Sequence, residues 1–137
     1  MDIDIAWNLL NSENKSIVIV KKGNVIFSSQ GRGIKPLYMA LAKYRDQLQD
    51  SSVADKVVGK AASMIYIHAG IKELHTKLIS ENAIKLLKDT SIKYSYSKSV
   101  PYIKNLDGSS MCPVETLSLN VSNIDDLLMK ISNFLQV

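Results

Sequence analysis

The hydrophobic pattern of the first third of the chain changes from strand-like to helix-like. A short mixed pattern over Asp4–Leu10 predicts an N-terminal helix. The β-branched runs Ser16–Lys21 and Val25–Ser29, separated by a turn at Gly23, predict a β-hairpin. Spacings of three and four residues, with a proline in the first turn, then predict a helix over Pro36–Leu48.

The middle of the chain alternates between helical and strand patterns. A run over Asp55–His68 predicts a helix that ends at Gly70, and because it is apolar on most sides we expect it to be central and buried. A strand over Lys72–Ser80, a helix over Glu81–Asp89 and a strand over Ile92–Ser97 follow. This alternation predicts an α/β layered domain whose later strands are parallel.

The last third combines a loop with helical segments. Residues Val100–Ser110 are irregular and contain a turn at Asp107 and Gly108. Pro113 favours a short helix, and the alternative is an edge strand, because Leu117, Leu119 and Val121 alternate with other residues. Asn123 as an N-cap predicts a C-terminal helix.

Composition narrows the class of protein. A length of 137 residues supports one domain over 1–137, and 46% hydrophobic with 22% charged residues is typical of a folded globule. No apolar run approaches the roughly 20 residues of a membrane span, and the N-terminus lacks a signal-peptide pattern, so we expect a cytoplasmic protein without a membrane partner.

Charge and cysteine content add further limits. The net charge of +4 is modest and the lysines are scattered, which argues against a nucleic-acid partner. A single cysteine, Cys112, fits a reducing compartment. His68 and His75 are too few for most histidine-based metal sites, so we expect neither metal nor cofactor.

The first candidate site is the segment Gly31–Pro36, which lies between a strand and a helix. Arg32 can grip a phosphate group, Gly33 lets the backbone approach it, and Lys35 adds a second positive charge at a helix N-terminus. The alternative is a helix-start turn with a solvated arginine.

The second candidate site is the start of the predicted helix at Asp55, where Lys56, Gly59 and Lys60 share one face. Lysines near the positive end of a helix are unfavourable unless an anion is bound, and Gly59 would allow close approach. Asp55 or Glu81 would accept a hydrogen bond from a ligand hydroxyl. The alternative is a helix crossing with lysines that extend to solvent.

Cys112 forms the third candidate, because a thiol that precedes a helix is favoured as the thiolate. Nucleophilic catalysis would need a base beside it, and no sequence feature places one there. The alternative is a buried, inert side chain. No residue is assigned a catalytic role, and whether the protein is an enzyme is left open.

Four segments together resemble the domain-of-unknown-function 1893 family, small prokaryotic proteins of the cytidine deaminase-like superfamily. They are GRGIKPL, VADKVVGKAA, ISENAIKLL and VPYIKNLDGSSMCPVE. The resemblance implies a three-layer α/β/α fold with a mixed sheet. It also implies that the zinc-ligand positions of related deaminases correspond to Asp55–Gly59 and Ser80–Ala83, which contain no histidine or cysteine. Leu106 replaces a basic residue expected in many relatives.

The leading hypothesis is therefore a protein that binds a nucleotide or another phosphate-bearing small molecule in a deaminase-like cleft without zinc. The alternative is a non-catalytic interaction or regulatory subunit with a vestigial cleft, in which Val57, Val58 and Met64 pack at a subunit interface. A homo-oligomer is compatible with both. The third hypothesis is that the protein is a thiol enzyme whose reactive group is Cys112.

Overall fold

One mixed sheet of five strands carries helices on both of its faces. The computed structural model describes residues 1–137 in full. The strands are β1 (Ile17–Lys21), β2 (Asn24–Ser29), β3 (Ser52–Val58), β4 (Glu73–Ser80) and β5 (Lys93–Val100). The helices are α1 (Asp2–Ser12), α2 (Lys35–Leu48), α3 (Lys60–Ala69), α4 (Glu81–Lys88), α5 (Pro113–Ser118) and α6 (Ile124–Leu135).

The strand order is β2-β1-β3-β4-β5. β1 pairs antiparallel with both β2 and β3, whereas β3, β4 and β5 run parallel to one another. The predicted hairpin and the predicted parallel pairing of the later strands are both confirmed. Parallel neighbours need crossover connections, and α3 and α4 supply them.

Alternating side chains of β1 separate two hydrophobic layers. Val18 and Val20 pack with Ala6 and Leu10 of α1 on one face of the sheet. Ile17 and Ile19 belong to the larger core on the opposite face, which also contains the apolar side chains of α2, α3, α4 and α6. Because successive residues of a strand point to opposite faces, one short strand builds both layers. The three-layer α/β/α arrangement is confirmed.

The predicted helix over Asp55–His68 is wrong in its first part. Residues Ser52–Val58 form β3, the central strand, and the helix begins only at Lys60. Val53, Ala54 and Val58 are fully buried between β1, β4 and the layers on both faces. The strand is largely apolar apart from Ser52, Asp55 and Lys56 and shows no regular alternation, and a short apolar segment of this kind cannot be distinguished from a buried helix by periodicity alone. The predicted helix end is confirmed, because Gly70 adopts the left-handed conformation with φ +71°.

The C-terminal third is helical where the sequence left two alternatives. Residues Pro113–Ser118 form α5, so the edge-strand alternative is wrong. The predicted N-cap of α6 is confirmed, since Asn123 accepts a hydrogen bond from the Asp126 backbone at 2.8 Å. The Gly108 amide donates to the Asn105 carbonyl at 3.0 Å, which closes the predicted turn. None of the helices combines the length and apolarity needed to cross a bilayer.

The carboxylate of Asp2 joins the start of α1 to the hairpin. It accepts hydrogen bonds from the backbone amides of Lys22 and Gly23, each at 2.9 Å. These amides lie in the β1–β2 turn, where both residues have positive φ. The helix layer on this face is therefore anchored to the turn as well as to the strands beneath it.

We predict that replacing Ser80 by alanine destabilises the fold by about 1 kcal/mol, because Ser80 is the N-cap of α4. Its hydroxyl is fully buried and accepts a hydrogen bond from the Ala83 amide at 3.2 Å. Urea unfolding of Ser80→Ala measures the change in the free energy of unfolding. Ser97→Ala, on the exposed surface of β5, serves as the control and should change it by a few tenths of a kcal/mol. Equal effects of the two substitutions would contradict the capping role.

Candidate functional site

The register of the sheet brings the starts of three helices to one edge. Ile17 pairs with both Ser29 and Asp55, so β2 and β3 end on the same side of the sheet. The parallel strands β4 and β5 end there too. We call this side, where β3, β4 and β5 end, the carboxyl edge. The N-termini of α2, α3 and α4 follow strands that end at it, and ligands of open α/β sheets bind outside such an edge.

A buried carboxylate, that of Glu115 in α5, occupies the start of α3. Its Oε1 accepts a hydrogen bond from the Lys60 amide at 3.0 Å, and its Oε2 accepts one from the Ile103 amide at 2.8 Å. The side chain is 5% exposed. A carboxylate at a helix N-terminus satisfies free amides and interacts favourably with the helix dipole. The chain itself therefore supplies an anion at this position.

Gly59 is the residue that allows this approach. A Cβ atom at Gly59 would lie 2.4 Å from Oε1 of Glu115 and 3.2 Å from Cγ1 of Ile103. Gly59 is the N-cap of α3 and carries no side chain that could cap the helix locally. The sequence predicted that a ligand approaches this glycine, and in the structure the side chain of Glu115 makes the close approach instead.

Lys56 and Lys60 do not share a helix face, so that part of the predicted site is wrong. Lys56 lies in β3, and its Nζ donates to Oδ1 of Asn14, just after α1, at 3.1 Å. Lys60 begins α3, and its Nζ donates to the Leu119 carbonyl at the end of α5 at 3.1 Å. The backbone amide of Lys60 thus donates to Glu115 within α5, and its ammonium group donates to the Leu119 carbonyl at the end of α5. These two hydrogen bonds hold α5 against the start of α3.

Asp55 points into the layer between β3 and α3. Its Oδ2 accepts the hydroxyl of Tyr66, and its Oδ1 accepts the Val57 amide at 3.2 Å. Burial raises the pKa of Asp55 from 3.8 to about 6, because the loss of water around the carboxylate outweighs these hydrogen bonds. Burial and the nearby carboxylate also raise the pKa of Tyr66 well above its usual value. Asp55 was expected to accept a hydrogen bond from a ligand hydroxyl, and in the structure its carboxylate accepts one from the hydroxyl of Tyr66.

Arg32 and Lys35 do come together, as the sequence predicted. They line a groove of about 310 Å³ with Phe27, Ser29, Gly31, Pro36 and Met39 at the start of α2. Gly33 takes the left-handed conformation, with φ +73°, that this turn requires. Ile34, the N-cap, offers no side-chain acceptor to the first amides of α2. The positive end of a fourteen-residue helix and two exposed cations thus face one groove.

Glu81 and Cys112 lie at two other helix starts. Glu81 is exposed in the first turn of α4, which Ser80 caps. Cys112 is a half-buried free thiol that precedes α5, and its amide donates to the Ile103 carbonyl at 2.8 Å. The two histidines hydrogen-bond elsewhere, His68 with Arg45 and His75 with Ser95. Neither histidine is hydrogen-bonded to the thiol.

Two residues of this region escaped the sequence analysis. Glu115 caps a helix that begins 55 residues earlier in the chain, and such a contact leaves no local pattern. The hydroxyl of Tyr66 donates to Asp55 across the layer between β3 and α3. The sequence does not indicate this contact, because residue 55 was predicted to lie in a helix and lies in β3. Gly59, which follows Val57 and Val58 and precedes Lys60, was the available sequence signal for the end of β3.

No group of three or more His, Cys, Asp or Glu side chains is arranged to hold a metal ion.

Comparison with known proteins identifies the family. The model of the family described as Domain of unknown function (DUF1893) matches residues 5–135. The chain belongs to the DUF1893 family. A crystal structure of a DUF1893 family protein from Thermotoga maritima is 29% identical in sequence, with a TM-score of 0.89 over 97% of this chain and 89% of that chain. No curated protein has a significantly similar sequence.

We predict that Glu115→Ala destabilises this DUF1893 protein by about 2–4 kcal/mol, because it leaves the buried Ile103 amide and the partly buried Lys60 amide without partners. Gly59→Ala should also be destabilising, since its Cβ displaces the same carboxylate. The double variant should cost less than the sum of the two single variants, because the Glu115 carboxylate is then gone and only the contact with Ile103 remains. Urea unfolding of all three variants measures this coupling.

Glu81→Ala is the matched control for Glu115→Ala, since it removes an exposed glutamate from the first turn of a helix. Its expected cost is a few tenths of a kcal/mol. Strictly additive effects of Gly59→Ala and Glu115→Ala would show that the two residues are not in the predicted contact.

We predict a distinctive pH dependence from Asp55. Its pKa is raised in the folded protein, so its favourable contribution is complete below about pH 4 and is lost as the pH rises through about 6. A shift of about two pKa units corresponds to about 3 kcal/mol. Asp55→Asn cannot ionise, so its stability relative to the parent protein should rise between pH 4 and pH 7.

The free energy of unfolding at several pH values, measured for the parent, Asp55→Asn and the exposed control Asp46→Asn, tests this dependence. The difference between parent and Asp55→Asn should change with pH by much more than that between parent and Asp46→Asn. Parallel profiles for the parent and Asp55→Asn would contradict a raised pKa.

Proposed function

We propose that this DUF1893 protein binds a phosphate-bearing small molecule, specifically a nucleotide, at the start of α2. The observation that carries the proposal is the convergence of Arg32 and Lys35 on one groove at an uncapped helix N-terminus. Neither cation takes part in an ion pair, because the two salt bridges of the chain are Met1 with Asp4 and Lys130 with Asp126. An anionic ligand would complete this site.

The chemistry of the groove suits a phosphate group with a sugar or base attached. Arginine binds phosphate oxygens in pairs, a lysine adds a point charge, and helix amides add further donors. Phe27 and Met39 supply apolar surface beside the two cations. A volume of about 310 Å³ lies at the lower end of the range for small-molecule sites. We assign no reaction to this site.

We also propose that the fold is cytidine deaminase-like and has lost the zinc chemistry, as the sequence resemblance implied. The mixed sheet with strand order β2-β1-β3-β4-β5 and layers of helices on both faces supports this relation. At the starts of α3 and α4, where zinc-dependent relatives hold their metal, the chain has Gly59, Lys60, Ser80 and Glu81. The buried Glu115 carboxylate at the start of α3 is compatible with a site that holds no metal there. We expect the protein to act in the cytoplasm.

A second candidate function is that of a non-catalytic interaction or regulatory subunit. Val57, near the end of β3, is 42% exposed, and Leu106, in the segment after β5, is 85% exposed. Apolar side chains at this exposure favour contact with another protein. The interface first expected on a single helix is wrong in its composition, because Val58 is fully buried and only Met64 lies in α3.

The proposed nucleotide site predicts selective thermal stabilisation. ADP should raise the melting temperature by several degrees when present far above its dissociation constant, whereas adenosine, which lacks phosphate, should not. Arg32→Ala and Lys35→Ala should each weaken ADP binding about tenfold, because each removes a charge-assisted contact. Differential scanning fluorimetry followed by isothermal titration calorimetry measures both effects.

Lys43→Ala is the matched control, because Lys43 is an exposed lysine farther along α2. It should bind ADP as the parent protein does. The proposal fails if ADP, ATP and sugar phosphates leave the melting temperature unchanged, or if Lys43→Ala weakens binding as much as Lys35→Ala.

A further inference from the structure

A second groove, distinct from the one at α2, opens at the ends of β3, β4 and β5. Val57, Leu78 and Lys98 are neighbours in register across these three strands and line one of its walls. The other wall is the segment Val100–Asn105, which continues from β5. The groove has a volume of about 530 Å³, well within the range of small-molecule sites.

The apolar part of this groove is exposed without a partner in the chain. Val57 is 42% exposed, and Leu78 and Val100 beside it are only partly buried. Ile103, at the base, is held in place because its amide donates to the buried Glu115 carboxylate. The contact that fixes the start of α3 therefore also fixes the segment that forms one wall of the groove.

Two cations flank this apolar surface. Lys98 and Lys104 are both exposed, and neither belongs to the two ion pairs of the chain. Tyr102, which lies between these two lysines in the sequence, also lines the groove. Its side chain is 36% exposed and adds a flat aromatic surface. Unpaired positive charge beside exposed aliphatic and aromatic groups is complementary to a ligand that carries both a negative charge and an apolar body.

We infer that this groove binds a small organic anion with a flat apolar body, an aryl or heteroaryl phosphate or carboxylate. The ring would rest on Val57 and Leu78, and the anionic group would lie between Lys98 and Lys104. Exposed lysines alone attract an anion weakly, because water screens them. The apolar wall adds the burial that converts weak attraction into binding of a defined ligand. This site is independent of the nucleotide site proposed at Arg32 and Lys35.

Titrations followed by ¹⁵N–¹H NMR test the inference on the whole chain. The probes are phenyl phosphate, benzoate, inorganic phosphate and benzyl alcohol. Phenyl phosphate should bind about tenfold more tightly than inorganic phosphate or benzyl alcohol, since each of these lacks one half of the recognition. Its shifts should map to Val57, Leu78 and the segment from Lys98 to Asn105. Comparison with benzoate determines whether phosphate or carboxylate is the preferred anionic group.

Three variants and one control locate the site. Lys98→Ala and Lys104→Ala should each weaken phenyl phosphate binding about fivefold. Val57→Asp, which places a negative charge on the exposed apolar wall, should abolish it. Lys93→Ala is the matched control, because Lys93 is an exposed lysine at the opposite end of β5 and lies outside the groove. Circular dichroism and thermal unfolding verify that every variant is folded.

The inference is overturned if phenyl phosphate binds no better than inorganic phosphate, if Lys93→Ala weakens binding as much as Lys98→Ala, or if the shifts map only to the groove at α2. In the last case the nucleotide site would stand alone. Arg32→Ala should leave phenyl phosphate binding at Lys98 and Lys104 unchanged. If Arg32→Ala loses ADP binding at α2 and retains phenyl phosphate binding, the two sites are independent.

Discussion

The arrangement at the carboxyl edge depends on one buried carboxylate. A charge as buried as that of Glu115 is tolerated only when donors surround it, and the amides of Lys60 and Ile103 meet that requirement. The same bonds join three separate parts of the chain: the start of α3, the segment after β5, and α5. Gly59 is the sequence requirement that this contact imposes on the chain.

Because the carboxylate of Glu115 already occupies the start of α3, the candidate anion sites lie elsewhere, in the two grooves. The start of α3 is already capped by Glu115, whereas the start of α2 has no side-chain cap, and Arg32 and Lys35 lie beside it. At the ends of β3, β4 and β5, Lys98 and Lys104 border an apolar groove. Strands lie about 4.8 Å apart, so β2 and β3, with β1 between them, are separated by roughly 10 Å. One groove therefore lies at the end of β2, and the other lies at the ends of β3, β4 and β5.

Local signals were sufficient for most elements of the fold. Gly23, Gly70 and Asn123 mark a hairpin turn, a helix end and a helix start, and each was predicted from its neighbours. Arg32 and Lys35 were found together because they are close in sequence. The central strand was missed because it lacks regular alternation and is separated from α3 by a single residue, and Glu115 was missed because its partners lie far along the chain. What could not be predicted rests on tertiary burial and long-range contact.

The contact between Asp2 and the hairpin turn bears on the order of folding. It closes a loop of only about 20 residues, so α1, β1 and β2 can assemble at a small entropic cost. The central strand must then join this unit from across α2. We expect the N-terminal unit to act as the template on which β3 and the parallel strands are added. On this view the first residues of the chain influence how fast the sheet forms, although they lie outside every strand.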